Sequence, residues 1–175
     1  MLELLLLRHG KSRWDEPGVE DHERDLTPRG EAAATRMGVL LRELDLVPDR
    51  VLCSTARRAV HTWQLAGAAL GPVAPTLRRD DMYLAAADRL LEVARRQAGP
   101  ARRLLMVGHN PGMHVLAVRL AGAGPTPLRA ALAAKFPTAA LARIGFERPS
   151  WDSVALGAGE LLGFWRPGDL ESTSG

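Results

Sequence analysis

Three short segments of the chain carry groups suited to handling a tetrahedral anion: Arg8-His9-Gly10, Ser54-Thr55-Ala56-Arg57-Arg58-Ala59 and Gly108-His109-Asn110. Histidine can serve as nucleophile, acid or base. Guanidinium forks hold phosphate through paired, charge-assisted hydrogen bonds. Transfer of a phosphoryl group needs both, because negative charge spreads over its equatorial oxygens. As a nucleophile His9 must be neutral, and Arg8 beside it should depress its pKa, while a bound dianion pushes the other way. Arg8, Arg58 and a protonated His109 would neutralise the oxygens, with Ser12 and Asn110 as candidate substrate-binding groups beside them. Gly10 is expected to let the backbone turn sharply and crowd the phosphate.

Each residue also has a duller reading. A lone histidine in a strand-end loop, such as His109, is more often structural than catalytic. Ser54 suits a helix cap, Ser12 a turn, and Met37 and Met113 apolar stripes. His22, His61 and His114 read as structural or solvent-facing. Arg57 and Arg58 fall in the first turn of an expected helix, where cations oppose the helix dipole unless an anion is near; at least one of them is therefore expected to be functional. Cysteine phosphatase chemistry fails on spacing: six residues after Cys53 stands Ala59, not arginine, so Cys53 reads as a small core residue. "GHNPG" lacks the Gly-Lys-Ser/Thr of a nucleotide-binding loop. No spacing suits zinc, so neither a metal nor an organic cofactor is expected.

These residues need a frame. Leu2 to Leu7 is an apolar run of strand length, suited to a strand covered on both faces. Thr27 and Pro28 mark a helix start, and Ala33, Met37, Leu40, Leu41 and Leu44 form its stripe. "DRVLCS" predicts a second strand, followed by a helix from about Ala56 to Leu70. "PTLRRD" predicts a third strand, and Ala86 to Ala98 a helix. "RRLLMVG" predicts another buried strand, followed by a helix from Pro111 to Ala121. Thr138 to Trp165 reads as strand-rich. The alternation predicts an α/β fold: a single-domain three-layer α/β/α sandwich with a mainly parallel sheet. Ligands in such sheets bind beyond the carboxyl ends of the strands, so the three segments should converge on one edge. The domain is expected over 1–167, with 168–175 as a flexible tail.

The totals agree with this frame. A length of 175 residues suits one domain with a substantial core. The net charge is only +3 and aromatics make up 5%, which leaves no basic, aromatic-rich stripe for nucleic acid. The apolar start is too short to span a bilayer and carries Glu3. With a single cysteine there is no internal disulfide. The expectation is a cytoplasmic protein with no membrane and no nucleic-acid partner.

Taken in order, "LLLLRHG", "LTPRGEAAA", "STARRAVHTW" and "VGHNPG" resemble the histidine phosphatase (phosphoglycerate mutase-like) superfamily over roughly Leu2 to Phe146. The short length, with "DHERDLTPRG", "MYLAAADRLL" and "KFPTAALARIGF", is most similar to its SixA-type phosphohistidine phosphatase branch. The resemblance implies a phosphoglycerate mutase-like fold, His9 as the phosphorylated nucleophile, Arg8 and Arg58 on the phosphate and His109 as the second catalytic histidine. Thr55 stands where the family carries proline. Asp15 stands where many members carry asparagine. Members that act on alcohol esters usually place a glutamate after the third strand as general acid. This chain offers only Asp80 and Asp81 there.

Three functions remain open on these grounds. One is a phosphatase that hydrolyses phosphohistidine, on a protein, through a phospho-His9 intermediate. The second is a phosphatase for small phosphoesters, with Asp80 or Asp81 as the acid. The third is a non-catalytic phosphate-binding module. The partner is accordingly a phosphorylated protein or a small phosphorylated substrate.

Overall fold

The computed structural model describes residues 1–171. β1 (Leu2–Arg8), β2 (Arg50–Ser54), β3 (Thr76–Arg79) and β4 (Arg103–Gly108) alternate with α1 (Pro28–Glu43), α2 (Arg57–Leu70) and α3 (Ala87–Gln97). α4 (Gly112–Leu120), β5 (Ala121–Ala123), α5 (Thr126–Ala134), β6 (Leu141–Phe146), β7 (Gly159–Trp165) and α6 (Pro167–Glu171) follow. The strands form one seven-stranded sheet in the order β3-β2-β4-β1-β6-β7-β5. β3, β2, β4 and β1 pair in parallel, as does β5 with β7. β6 alone runs against its neighbours, so the sheet is mixed.

The uninterrupted apolar character of β1 follows from helices on both faces. Leu4 and Leu6 point into a core shared with Leu90 of α3 and Leu116 of α4, whereas Leu5 and Leu7 point into one shared with Met37 and Leu41 of α1 and Trp63 of α2. Glu3 breaks the run: its buried carboxylate is gripped by Arg103 on β4 and Arg143 on β6. Thr27 caps α1 by accepting a hydrogen bond from the Gly30 amide, and Pro28 is the first helical residue. Cys53, Met37 and Met113 lie in the core.

Two regions depart from the expectation. The stretch after α4, left without an element, forms β5 and α5. Most of α5 faces solvent, with only Leu132 buried, so its apolar content is weakly patterned. Within the segment expected as a flexible tail, Gly168 to Glu171 belong to α6, and Leu170 packs beside the core under α1 and α2. Residues 172–175 of that tail lie outside the described residues. Among the described residues, no helix is long and apolar enough to cross a membrane.

Candidate active site

Strand register brings the three chemical segments together. Arg8 at the end of β1 lies opposite Gly108 at the end of β4, and Cys53 near the end of β2 lies opposite Val107. The carboxyl ends of all three strands are therefore level. His9 continues the pairing on both sides: its amide donates to the Gly108 carbonyl and its carbonyl accepts from the Ala139 amide. The next residue is locked against α1. A Cβ on Gly10 would lie 2.7 Å from the Gly30 carbonyl oxygen, and one on Gly30 would lie 2.1 Å from that of Lys11. Gly10 has no positive φ. It is thus needed for close packing of the loop on α1, which corrects the expectation of a sharp turn against phosphate.

A cavity of about 510 Å³ opens at this edge, lined by Arg8, His9, Ser12, Arg58 and His109 among others. The His9 and His109 rings face each other with centroids 5.1 Å apart. His9 Nδ1 lies 2.7 Å from the Gly10 carbonyl. A carbonyl can only accept, so Nδ1 carries the proton and Nε2 keeps its lone pair. Burial, opposed by that carbonyl and reinforced by Arg58, Arg8 and Arg24, pushes the His9 pKa down to about 3. Burial, followed by His9 and Arg58, does the same to His109, also to about 3. Both rings are therefore neutral near pH 7.

His109 Nε2 lies 2.7 Å from Ser54 Oγ, which in turn accepts from the Ala56 amide at 3.3 Å. The hydroxyl proton can then go to Nε2, leaving Nδ1 as the protonated nitrogen. Nδ1 is buried and without a partner. Ser54 is not the helix cap expected of it, since α2 has Ala56 at its N-cap with no side-chain hydrogen bond; its hydroxyl instead orients a ring of the site. Arg8 donates from Nη1 to the Phe136 carbonyl, while its Nε and that of Arg58 are buried and unpartnered. Of the two arginines opening α2, Arg58 is buried in the site, whereas Arg57 is exposed and paired with Asp25.

The other expected residues divide. Ser12 lines the cavity, accepts from Arg24 Nη1 at 2.7 Å, and keeps its own hydroxyl proton available to an anion. Asn110 also lines it, with one of its two amide hydrogens donated to the Phe136 carbonyl and its Oδ1 acceptor buried without a partner. Asp15 is exposed and absent from the cavity wall. The candidate acids are absent from the wall too. Asp81 is chelated by Arg79 at 2.7 and 3.1 Å, and Asp80 accepts from Thr55. The hydrogen bond from Arg79, against the opposing effect of burial, lowers the Asp81 pKa, which favours the anion over a proton donor.

One group was missed. Asp21 sits on the cavity wall, in a short 3₁₀ turn over Asp21–Glu23. Its carboxylate takes Arg58 Nη2 at 3.1 Å, Arg24 and the Tyr83 hydroxyl, and its carbonyl takes Arg58 Nη1 at 2.7 Å. Burial opposes its ionisation, but the bonds from Tyr83, Arg24 and Arg58 outweigh burial and hold its pKa at about 2. Tyr83 packs edge-on against His109, and His22, read as structural or solvent-facing, packs edge-on against Tyr83. The polar run Asp21–Asp25 has no periodicity to mark it. Its only signal was the likeness of "DHERDLTPRG" to a known branch.

Comparison with known proteins agrees with the geometry. Residues 4–82 match the model of the histidine phosphatase superfamily, branch 1. An uncharacterised protein of Mycobacterium tuberculosis is 36% identical over 163 residues, covering 92% of this chain and 99% of that one. Two solved structures, each described as a "putative phosphohistidine phosphatase SixA", are 29% identical and cover 95% of this chain. The Nakamurella structure has a TM-score of 0.82 with 96% of its chain covered. The Agrobacterium tumefaciens structure has a TM-score of 0.77 with 98% covered. With these matches, and with a strand-end His9 facing His109 beside the buried Arg58 and the half-buried Arg8, the chain belongs to the histidine phosphatase superfamily, with a SixA-like fold.

Proposed function

We propose that this chain is a phosphatase that hydrolyses phosphohistidine on a protein substrate. His9 Nε2 attacks phosphorus and forms a phospho-His9 intermediate. Arg8, Arg58, Ser12 and the Nδ1–H of His109 hold the equatorial oxygens. The P–N bond of the substrate breaks and the departing imidazole takes its proton from solvent. Water then attacks phospho-His9, releasing phosphate and restoring neutral His9. Preorganised donors of this kind are typically worth ~10²–10³ in rate each.

The observation that carries this reading is the pairing of a tautomer-fixed His9 with a site wall that holds no protonated carboxyl. The wall carboxylate, Asp21, is held ionised, and Asp80 and Asp81 lie off the wall. Ester cleavage leaves an alkoxide that needs a placed acid. An imidazole leaving group does not. The likeness to SixA structures supports the same choice. The test is a turnover panel of a phosphohistidine protein, phosphoramidate and an alkyl phosphate such as glycerol phosphate, with radiolabel trapped on the enzyme. Turnover of the first two with label lost in His9→Ala is expected. Faster turnover of the ester would assign the site to small phosphoesters, and turnover without labelling would remove the covalent step.

A further inference from the structure

A second cavity, of about 530 Å³, abuts the catalytic one, and Lys11, Lys135, Pro137 and Thr138 line both. Its outer part is lined by Arg29, at the start of α1, and by Arg166. Its carboxylate, Asp169, is chelated by Arg166 at 2.7 Å. Lys11, Arg29 and Lys135 are exposed, and no carboxylate among the described residues pairs with any of them. The lysines are distinctive in this chain. Of its 23 basic residues only Lys11 and Lys135 are lysine, and both stand on the wall between the two cavities. Lysine is a compact, strongly hydrated charge on a flexible stem, whereas arginine suits a fixed planar grip. Arginine at the cavity floor and lysine at its rim fits one ligand held rigidly at its phosphoryl group and wetly beyond it.

The rim also carries apolar surface. Trp14 is 81% exposed, stacked on the Arg24 guanidinium, and Leu84 is 55% exposed. Both line the catalytic cavity. Leu84 is held at φ 51°, in the left-handed region that a leucine seldom adopts. Exposed apolar edges beside a cation-lined trough suit a folded or extended polypeptide better than a small ion.

We propose that the trough formed by Lys11, Arg29, Lys135 and Arg166 binds acidic side chains that flank the phosphohistidine of a protein substrate. The inference rests on the phosphohistidine reading above and names the surroundings that the substrate must have. Arg29 is the discriminating position, because it faces only the outer trough and no step of catalysis uses it.

The experiment compares a phosphohistidine peptide flanked by glutamates with its glutamine counterpart and with phosphoramidate, which is too small to reach the trough. Wild-type enzyme should prefer the glutamate peptide by about tenfold in kcat/KM at low salt, with the preference falling as salt is raised. Arg29→Glu should abolish that preference through KM while leaving phosphoramidate turnover unchanged. Equal handling of the two peptides by wild-type enzyme would overturn the trough while leaving the catalytic reading intact. So would an Arg29→Glu loss that is equal on all three substrates. No turnover of any of the three, with turnover of esters, would overturn the catalytic reading and the trough with it.

Discussion

The neutrality of the two facing histidines makes a prediction for stability. An unfolded histidine titrates at about 6.5, whereas burial in the folded protein pushes His9 and His109 down to about 3. Between those values the unfolded chain binds more protons than the folded one. Stability therefore rises with pH across this window and is lost as pH falls. For His9 alone, lowering the pH from about 7 to about 4.5 should remove about 2.5 kcal/mol, from the ratio of the two binding polynomials. His109 adds to this less than independently, because part of its shift comes from His9 itself. The assay is urea denaturation of wild type and His9→Gln at both pH values. Contributions from carboxylates such as Glu3 and Asp25, whose pKa values folding lowers, are common to both proteins and cancel in the difference. Wild type should lose about 2–3 kcal/mol more than the variant over this interval. Saturating inorganic phosphate should shrink that loss, because a bound dianion favours imidazolium. Equal losses in wild type and variant would refute the claim that burial and the surrounding guanidinium groups keep His9 unprotonated.

Three further substitutions test separate parts of the site. Ser54→Ala removes the 2.7 Å contact to His109 Nε2; steady-state kinetics should show kcat reduced about fivefold, for an interaction of about 1 kcal/mol, with KM little changed, and Ser54→Thr should restore much of it. Gly30→Ala would set a Cβ 2.1 Å from the Lys11 carbonyl oxygen. Thermal denaturation should register about 1–3 kcal/mol of destabilisation, as for other overpacked positions, together with loss of activity as the loop bearing His9 is displaced. Asp81→Asn breaks a part-exposed pair with Arg79 and should cost less than about 1 kcal/mol. Turnover of a phosphohistidine substrate should be unaffected, and a tenfold or greater drop would restore Asp81 as an acid.

Most of the frame was legible because it is written in local pattern. Thr27-Pro28 caps and opens α1 as read, and the continuous leucines of β1 required a strand covered on both faces. Arg8, His9, Arg58 and His109 could be picked out because each follows a strand whose end was readable, and parallel strands put those ends on one edge. The region of β5 and α5 was not legible, because an exposed, alanine-rich helix with one buried leucine presents little apolar stripe to detect. Leu170 likewise gave no warning that α6 would fold back onto the core.

The sequence alone thus determined which groups could meet a phosphoryl group, since residue type and strand-end position are local properties. Only tertiary structure decided their states. The His9 tautomer comes from a carbonyl one residue away that had to be turned toward Nδ1, and its depressed pKa comes chiefly from burial, with Arg58 and Arg24 from other segments adding to the adjacent Arg8. Asp21, from an irregular turn, became the carboxylate that grips Arg58 because folding carried it 37 positions along the chain to that side chain. Asp81, beside a plausible acid position, was withdrawn by a bond to Arg79. Hydrogen-bond direction, desolvation and long-range pairing depend on what stands next to a residue in space, and spacing along the chain does not encode that.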